Sequence, residues 1–230
     1  MLEPIKHELR RKNIILASTS PRRSEMLNKL GIEFEVFPSN YDETILNSCD
    51  FKDNRDYCKQ LAIEKANAIV KQVLSFKDNV DFIISADTIV EYEGKVFGKP
   101  NSNEDADKML TLLSGKKHKV ISAVCILVFK NKNIDSYEVF HEETNVFFTD
   151  LSPEMVKCYV ETGEPIGKAG AYAIQGLGST FVSRIEGDYF NVMGLPVHKL
   201  CKYLYRILFE AAQDKVEMRI KDCETEFNQR

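Results

Sequence analysis

The chain has 230 residues, 43% of them hydrophobic and 29% charged, with a formal net charge of −4. That length makes one large domain or two lobes and buries roughly 70–75% of the unfolded surface, so a core needs neither disulfides nor a structural metal. The composition excludes disordered, collagen-like and mucin-like chains, and the acidic balance argues against a general nucleic-acid binder.

Met1 to Asn13 mixes Glu3, Lys6, Glu8, Arg10 and Arg11 without an apolar stretch, which fits neither a secretory signal nor a transit peptide. No apolar run approaches the roughly 20 residues of a membrane-spanning helix, so the reading is a cytoplasmic protein with no membrane partner. A strand is predicted at Ile14-Ile15-Leu16. After it, Ser20-Pro21 opens a helix over Arg22 to Leu30 that Gly31 closes. A second helix is predicted from Asp53 to Leu74, then a nearly continuous apolar strand from Phe82 through Val90, with Gly94 marking a hairpin turn.

Asn103 to Leu113 reads as helix, and Val120 to Phe129 as a long buried strand. Asp135 to Phe148 reads as its antiparallel partner across an Asn-Lys-Asn turn. Ser152-Pro153 opens another helix to about Thr162. Seven of the eleven glycines then fall between Gly163 and Gly194, a stretch that should shape backbone around a ligand. A last helix runs from Pro196 to about Ala212, followed by a charged tail read as a frayed or disordered end rather than a partner-binding helix. Strands and helices without regular βαβ alternation predict an α/β or α+β fold on a mixed sheet. The six cysteines show neither CxxC nor zinc spacing and read as reduced, mostly buried thiols.

Several residues break local rules, and such breaks mark sites. Arg22 and Arg23 occupy a helix's first turn, where the macrodipole disfavours cations. With Ser18, Thr19, Ser20 and the free N–H groups of a helix start, they form an anion pocket suited to phosphates; the alternative is a solvated helix end. Lys65 falls on the buried stripe of its helix, between Leu61 and Ile69, so it either snorkels to solvent or points at a bound anion. Asp87 interrupts an apolar strand and must be paired, bound to metal or turned to a cleft, unless it caps a turn. Asp42-Glu43 adds carboxylates in an acidic loop, and Lys99 sits between Gly98 and Pro100. Lys168 and Gln175 lie inside the glycine-rich stretch, where an amide can read a base edge. The four histidines show no metal or triad spacing, and P-loop, dinucleotide, zincin and hydrolase motifs are absent. Cations for phosphates, carboxylates for a divalent ion or a water, and a pocket for a base are what phosphoryl chemistry requires.

The string Leu16-Ala17-Ser18-Thr19-Ser20-Pro21-Arg22-Arg23 resembles the opening of the Maf family of nucleoside triphosphate pyrophosphatases. Further blocks match in order: Glu64-Lys65-Ala66, Ala86-Asp87-Thr88-Ile89-Val90, Gly98-Lys99-Pro100, and Leu113-Ser114-Gly115 with His118. The longest runs from Gly163-Glu164-Pro165 through Lys168 to Gln175-Gly176, and continues in Gly187-Asp188-Tyr189 and Asn191 to Pro196. The resemblance covers residues 13–210, leaving 1–12 as an N-terminal extension and 211–230 as the charged tail.

The resemblance implies a two-lobed α/β fold, related to inosine triphosphate pyrophosphatases, with a mixed sheet and a central groove. It implies hydrolysis of a nucleoside triphosphate between the α and β phosphates with a divalent metal, Mg²⁺ or alternatively Mn²⁺, in a homodimer. Carried over by residue, Asp87 matches the family's proton acceptor, while Ser18, Arg23, Glu43, Lys65 and Lys99 match its phosphate- and metal-handling positions. Glu43 and Asp87 are the implied metal ligands, and Asp87 as base or as ligand both stay open. The branch acting on dTTP and UTP has Arg, Thr and Gln where this chain has Arg22, Thr88 and Gln175. The branch acting on 7-methylguanosine triphosphate has Trp, Gln and Glu there, and this chain has no Trp. Gln175 with Thr88 is therefore expected to read a pyrimidine, modified pyrimidines included. One departure is Gly167, where the family usually carries an acid before the lysine matching Lys168. A non-catalytic nucleotide-binding regulator of cell division is the alternative of a different class.

Overall fold

Alternation of apolar residues and the placement of caps set the order of elements. The computed structural model describes residues 2–209. A one-turn helix α1 (Lys6–Leu9) buries Ile5 and Leu9 against the main core. The first strand, β1 (Ile14–Ala17), is buried at every position, as a strand covered on both faces must be. It leads into α2 (Pro21–Lys29), then the two-residue strand β2 (Glu35–Val36) and the 23-residue helix α3 (Asn54–Phe76), whose N-terminus Asp53 caps.

β3 (Phe82–Tyr92) and β4 (Lys95–Phe97) form the expected hairpin, followed by α4 (Asn103–Leu113). The longest strands, β5 (Lys117–Lys130) and β6 (Asn133–Phe148), pair antiparallel. Asn131 and Lys132 make their turn at φ 51° and 64°, the left-handed pair a tight hairpin requires. α5 (Pro153–Glu161), β7 (Val182–Glu186), α6 (Tyr189–Met193) and the described part of α7 (197–209) complete the chain. The predicted end of that last helix near Ala212 and the tail from 211 to 230, with Cys223, lie outside the described residues.

The sheet runs β2-β1-β3-β5-β6-β7, with β4 also on β3. The β2/β1 and β1/β3 pairs are parallel and the rest antiparallel, which is the mixed α/β sheet expected. Ile83 and Ile89 of β3 face α3 through Leu61, Ala62, Ala66 and Ile69. Phe82, Ile84, Ala86 and Val90 face the opposite layer, built from Met26, Leu27, Leu110, Val156 and Leu200 on the other helices. α3 thus covers one face nearly alone.

One topological detail positions the site. β1 pairs with β3 as far as Ala17 opposite Ser85, and β4 takes up the same edge only at Val90 opposite Phe97. Residues 86–89 of β3 therefore have no strand partner on that side. At this break, side chains from both faces of β3 reach one opening. The break also lies at the carboxyl end of parallel β1, where open α/β sheets bind ligands.

The sequence missed α1, β2, β7 and α6, all short elements fixed by tertiary pairing or a single cap. Among the described cysteines, Cys58, Cys125 and Cys201 are buried and Cys49 and Cys158 exposed, all free thiols. No helix among the described residues is long and apolar enough to cross a membrane.

His118 is the one buried histidine among the described residues, at 2% exposure, with Nε2 2.9 Å from the Tyr172 hydroxyl and its ring edge-on to Phe148. Desolvation pushes its pKa from 6.5 down to about 4. The folded protein keeps this ring neutral while the unfolded chain protonates it, so stability falls as pH drops below 6.5 and the loss levels off below about 4. In urea unfolding, the wild type should lose about 2 kcal/mol relative to His118→Gln between pH 7 and pH 5. A difference independent of pH would refute the assignment.

Candidate active site

A cavity of about 400 Å³ opens at the break beside β3. Ser18, Arg22, Arg23, Glu43, Lys65, Asp87, Thr88, Lys99, Lys168 and Gln175 line it, with Thr19 and Ser20, whereas Asp42 does not.

Ser18 follows β1 and is buried; its hydroxyl accepts the Ser20 N–H at 3.1 Å and Arg23 Nη1 at 3.2 Å. Ser20 stands at the N-cap of α2 without making a side-chain cap, so its hydroxyl remains available to an anion; Pro21 has no N–H and the Arg23 N–H donates to the Ser20 carbonyl at 3.2 Å, which leaves the Arg22 N–H as the helix-start donor. Arg23 Nε donates to the Gly194 carbonyl at 2.8 Å and Nη2 to the Thr88 hydroxyl at 3.1 Å. Arg22 differs: its Nε is buried and has no partner. An orphaned guanidinium nitrogen at a cavity wall is a donor waiting for a ligand acceptor. Desolvation, joined by repulsion from Arg23, pulls the Arg22 pKa down from its ordinary value, so an arriving anion is favoured electrostatically.

The second feature is a chain of alternating charges. Asp87 lies on the α3 face of β3 at 3% exposure, and Lys65 lies opposite it on α3 at 8%. The Lys65 ammonium donates to Asp87 Oδ1 and, at 2.8 Å, to Glu43 Oε1, which also accepts Lys99 Nζ at 2.7 Å. Lys65 therefore neither snorkels to solvent nor stands free, and Asp87 caps no turn. Asp42 supplies the local cap instead, accepting the Thr44 N–H at 2.9 Å and so fixing the one-turn 3₁₀ helix that presents Glu43.

Burial works to raise the Glu43 pKa, but Lys65 and Lys99 outweigh it and hold the carboxyl at about 2. Desolvation opposes charge on Lys65, and Asp87 and Glu43 reverse that, leaving it above 10.5. The Glu43 contribution to stability is thus lost progressively as pH falls from 4.5 to about 2, and that of Lys65 as pH rises above 10.5. Glu43 and Lys65 therefore both stay ionised across the neutral range.

The third feature is the far wall. Lys168 is half-buried and donates to the Ile166 carbonyl at 3.2 Å, next to Gly167 at φ 75°. Gln175 is exposed to the cavity, its amide unpartnered among the described residues. This wall is held to the Lys99 turn by the Gly170 N–H, which donates to the Gly98 carbonyl at 3.0 Å. Gly170 has φ 67°, and an added Cβ would come within 2.6 Å of Val90, so only glycine permits this approach.

The sequence pairs Thr88 with Gln175 as base readers. In the structure the Thr88 hydroxyl bonds Arg23 and, at 2.9 Å, Ser122. Sequence reasoning missed what lies behind it. Ser122 donates to the Asn191 carbonyl at 2.9 Å, and the fully buried Asn191 amide reaches Val120 and Thr144. A serine in the middle of apolar β5 was the available signal.

Among the described residues, no three His, Cys, Asp or Glu side chains converge as a self-sufficient metal cage. Mg²⁺, however, is commonly held by one or two carboxylates plus substrate phosphates. Glu43 and Asp87 meet on a single cationic group, the Lys65 ammonium, beside the arginine-lined end. That donor set fits a divalent ion arriving with a polyphosphate.

A Clostridium perfringens (strain SM101) protein named dTTP/UTP pyrophosphatase is 48% identical over 83% of this chain and 95% of its own length. Proteins of the same name from Alkaliphilus oremlandii and Thermosipho africanus are 47% and 45% identical, over 82% and 88% of this chain and 93% and 98% of theirs. The solved Staphylococcus aureus Ham1 protein aligns at 12% identity and a TM-score of 0.46 over 87% of this chain and all of that one. The family model described as Maf-like protein matches residues 13–207, and with relatives this similar over nearly their whole length the chain belongs to that family.

Proposed function

We propose that this protein is a nucleoside triphosphate pyrophosphatase that hydrolyses dTTP and UTP to the nucleoside monophosphate and pyrophosphate. The observation that carries the reading is the convergence in one cavity of an anion end, a carboxylate–lysine chain and an amide-bearing wall. The names of the relatives support the substrate class.

The α2 N-terminus with Ser18, Ser20, Arg22 and Arg23 binds phosphate oxygens, while Lys65 and Lys99 hold the rest of the triphosphate. Glu43 and Asp87 are the groups that would hold a divalent ion. When bound, such an ion, Mg²⁺ in this reading, would supply positive charge to the phosphate oxygens. Asp87 is aimed at the cavity from a rigid strand and orients or deprotonates the attacking water. Thr88 and Gly194 fix the Arg23 fork, so its charge is preorganised for the developing negative charge.

At the far wall, Gln175 offers one donor and one acceptor, complementary to the O4 and N3–H edge of uracil or thymine. Lys168 is a donor only, matching a base carbonyl and opposing an exocyclic amine. A 5-substituted uracil presents the same edge, so modified pyrimidines belong to the same class. The catalytic domain is taken as residues 13–210, in keeping with the family match over 13–207. Cytoplasmic location and a homodimer are the assignments that go with the family resemblance, and the acidic balance supports no nucleic-acid partner. Neither the methylated-guanine alternative nor a non-catalytic regulator is favoured by the names of the relatives.

Pyrophosphate release with Mg²⁺ across dTTP, UTP, CTP, ATP, GTP and 7-methylguanosine triphosphate should be confined to uracil- and thymine-type nucleotides. A preference for the methylated guanine nucleotide would overturn the base assignment. Asp87→Asn keeps an acceptor for Lys65 and leaves Glu43 in place, so it should fold and bind nucleotide while kcat falls about 10²–10⁴-fold. Undiminished turnover would remove Asp87 from the chemistry.

A further inference from the structure

Gln175 sits between the 3₁₀ turns Ala169–Ala171 and Leu177–Phe181, in a segment that pairs with no strand. A reader mounted on such backbone needs something to fix it. One carboxylate does so. Glu164 Oε1 accepts the Gly178 N–H at 3.0 Å and the Tyr159 hydroxyl at 2.8 Å, and Oε2 accepts the Leu177 N–H at 3.1 Å. The same Tyr159 oxygen accepts the Ala173 N–H at 3.2 Å. Backbone amides two residues before Gln175, and two and three after it, thus converge on a single Glu–Tyr pair.

The fit is close on every side. A Cβ at Gly176 would fall 2.3–2.8 Å from the Glu164 carboxylate, and one at Gly178 would fall 2.8 Å from the Tyr159 hydroxyl. The residue after Gln175 must lack a side chain for the carboxylate to seat. Tyr159 is itself buried at 5% exposure, edge-on to Phe181, so the brace is anchored in the core. Burial disfavours charge on Glu164, yet the amides of Gly178 and Leu177 and the Tyr159 hydroxyl hold its pKa below the ordinary value.

A glutamine amide is ambidextrous. Free to turn, it presents either its N–H₂ or its carbonyl to a given point, and so matches a cytosine edge as well as a uracil edge. Discrimination needs the amide delivered at one depth and one rotation. We infer that Glu164, acting through the loop amides and Tyr159, is the positioning residue that sets base discrimination by fixing how Gln175 meets the base. It touches no substrate atom. The inference rests on the reading that Gln175 contacts the base.

The test uses the full chain with Glu164→Gln, Tyr159→Phe and Gln175→Ala, measuring kcat and KM separately for UTP and CTP. Glu164→Gln should lower kcat/KM for UTP about 10–100-fold, mainly through KM, and should reduce the UTP-to-CTP preference as Gln175→Ala does. Hydrogen exchange at the Leu177 and Gly178 amides should quicken. Should Glu164→Gln not fold, Tyr159→Phe removes only a hydroxyl and predicts the same shift in preference. If Gln175→Ala relaxes the preference while the Glu164 and Tyr159 variants do not, the inference fails and the base-reading role of Gln175 stands. A uniform loss of kcat for both nucleotides would make Glu164 merely structural and overturn it. If Gln175→Ala leaves the preference intact, the base-contact reading falls and the inference with it.

Discussion

A lysine ammonium buried between a helix and a sheet is tolerable only if anions meet it, and the architecture of this site follows from that constraint. Lys65 lies in the apolar stripe of α3, among Leu61, Ala62, Ala66 and Ile69. Asp87 answers it from β3 and Glu43 from the turn before α3. Removing one partner from such a buried pair costs about 3–5 kcal/mol, because the survivor is left uncompensated. The pair therefore ties α3 to the sheet, and through Glu43 and Lys99 it ties the 43–45 turn to the segment after β4. The same charges are the ones a polyphosphate and its counter-ion would engage. Stability and chemistry draw on one set of groups.

The break in pairing along β3 makes that set accessible. A continuous β1 or β4 would seal residues 86–89, and period-2 alternation would put Asp87 and Thr88 in separate cores. With the edge open, Asp87 serves the carboxylate–lysine chain on one face while Thr88 anchors Arg23 on the other. The Ser122–Asn191–Thr144 network behind Thr88 is fully hydrogen-bonded, which gives a rigid base for the guanidinium. The amide wall is held differently, by one carboxylate and one phenol. In the proposed reading, phosphate handling stands on sheet and helix, and base recognition on a braced loop.

What the sequence made legible follows from how local each signal is. Lys65 betrayed itself by falling on an apolar period, Asp87 by interrupting a strand, and Arg22 and Arg23 by opposing a helix dipole. Each is a conflict between a residue and its own neighbours in the chain, and each conflict lies at the cavity. The long elements were readable for the same reason. Glu164 and Asn191 conflict with nothing nearby, and their partners lie 5 to 71 residues away, so only the fold reveals them; Ser122 stands out in an apolar strand, but its partner 69 residues on does not. Thr88 was visible as a position in a family pattern, but its commitment to Arg23, 65 residues earlier, was not. Nor could β2 or α6 be read, since a two-residue strand and a five-residue helix exist only through what they pack against.

In the proposed reaction these groups direct cleavage to the bond between the α and β phosphates, and the products of turnover report which bond breaks. Following UTP turnover by phosphorus NMR should show UMP and pyrophosphate rising together in equal amounts, with no UDP at any time. Accumulation of UDP with orthophosphate would mean that the terminal phosphate is the one attacked, and would rule out a pyrophosphatase site.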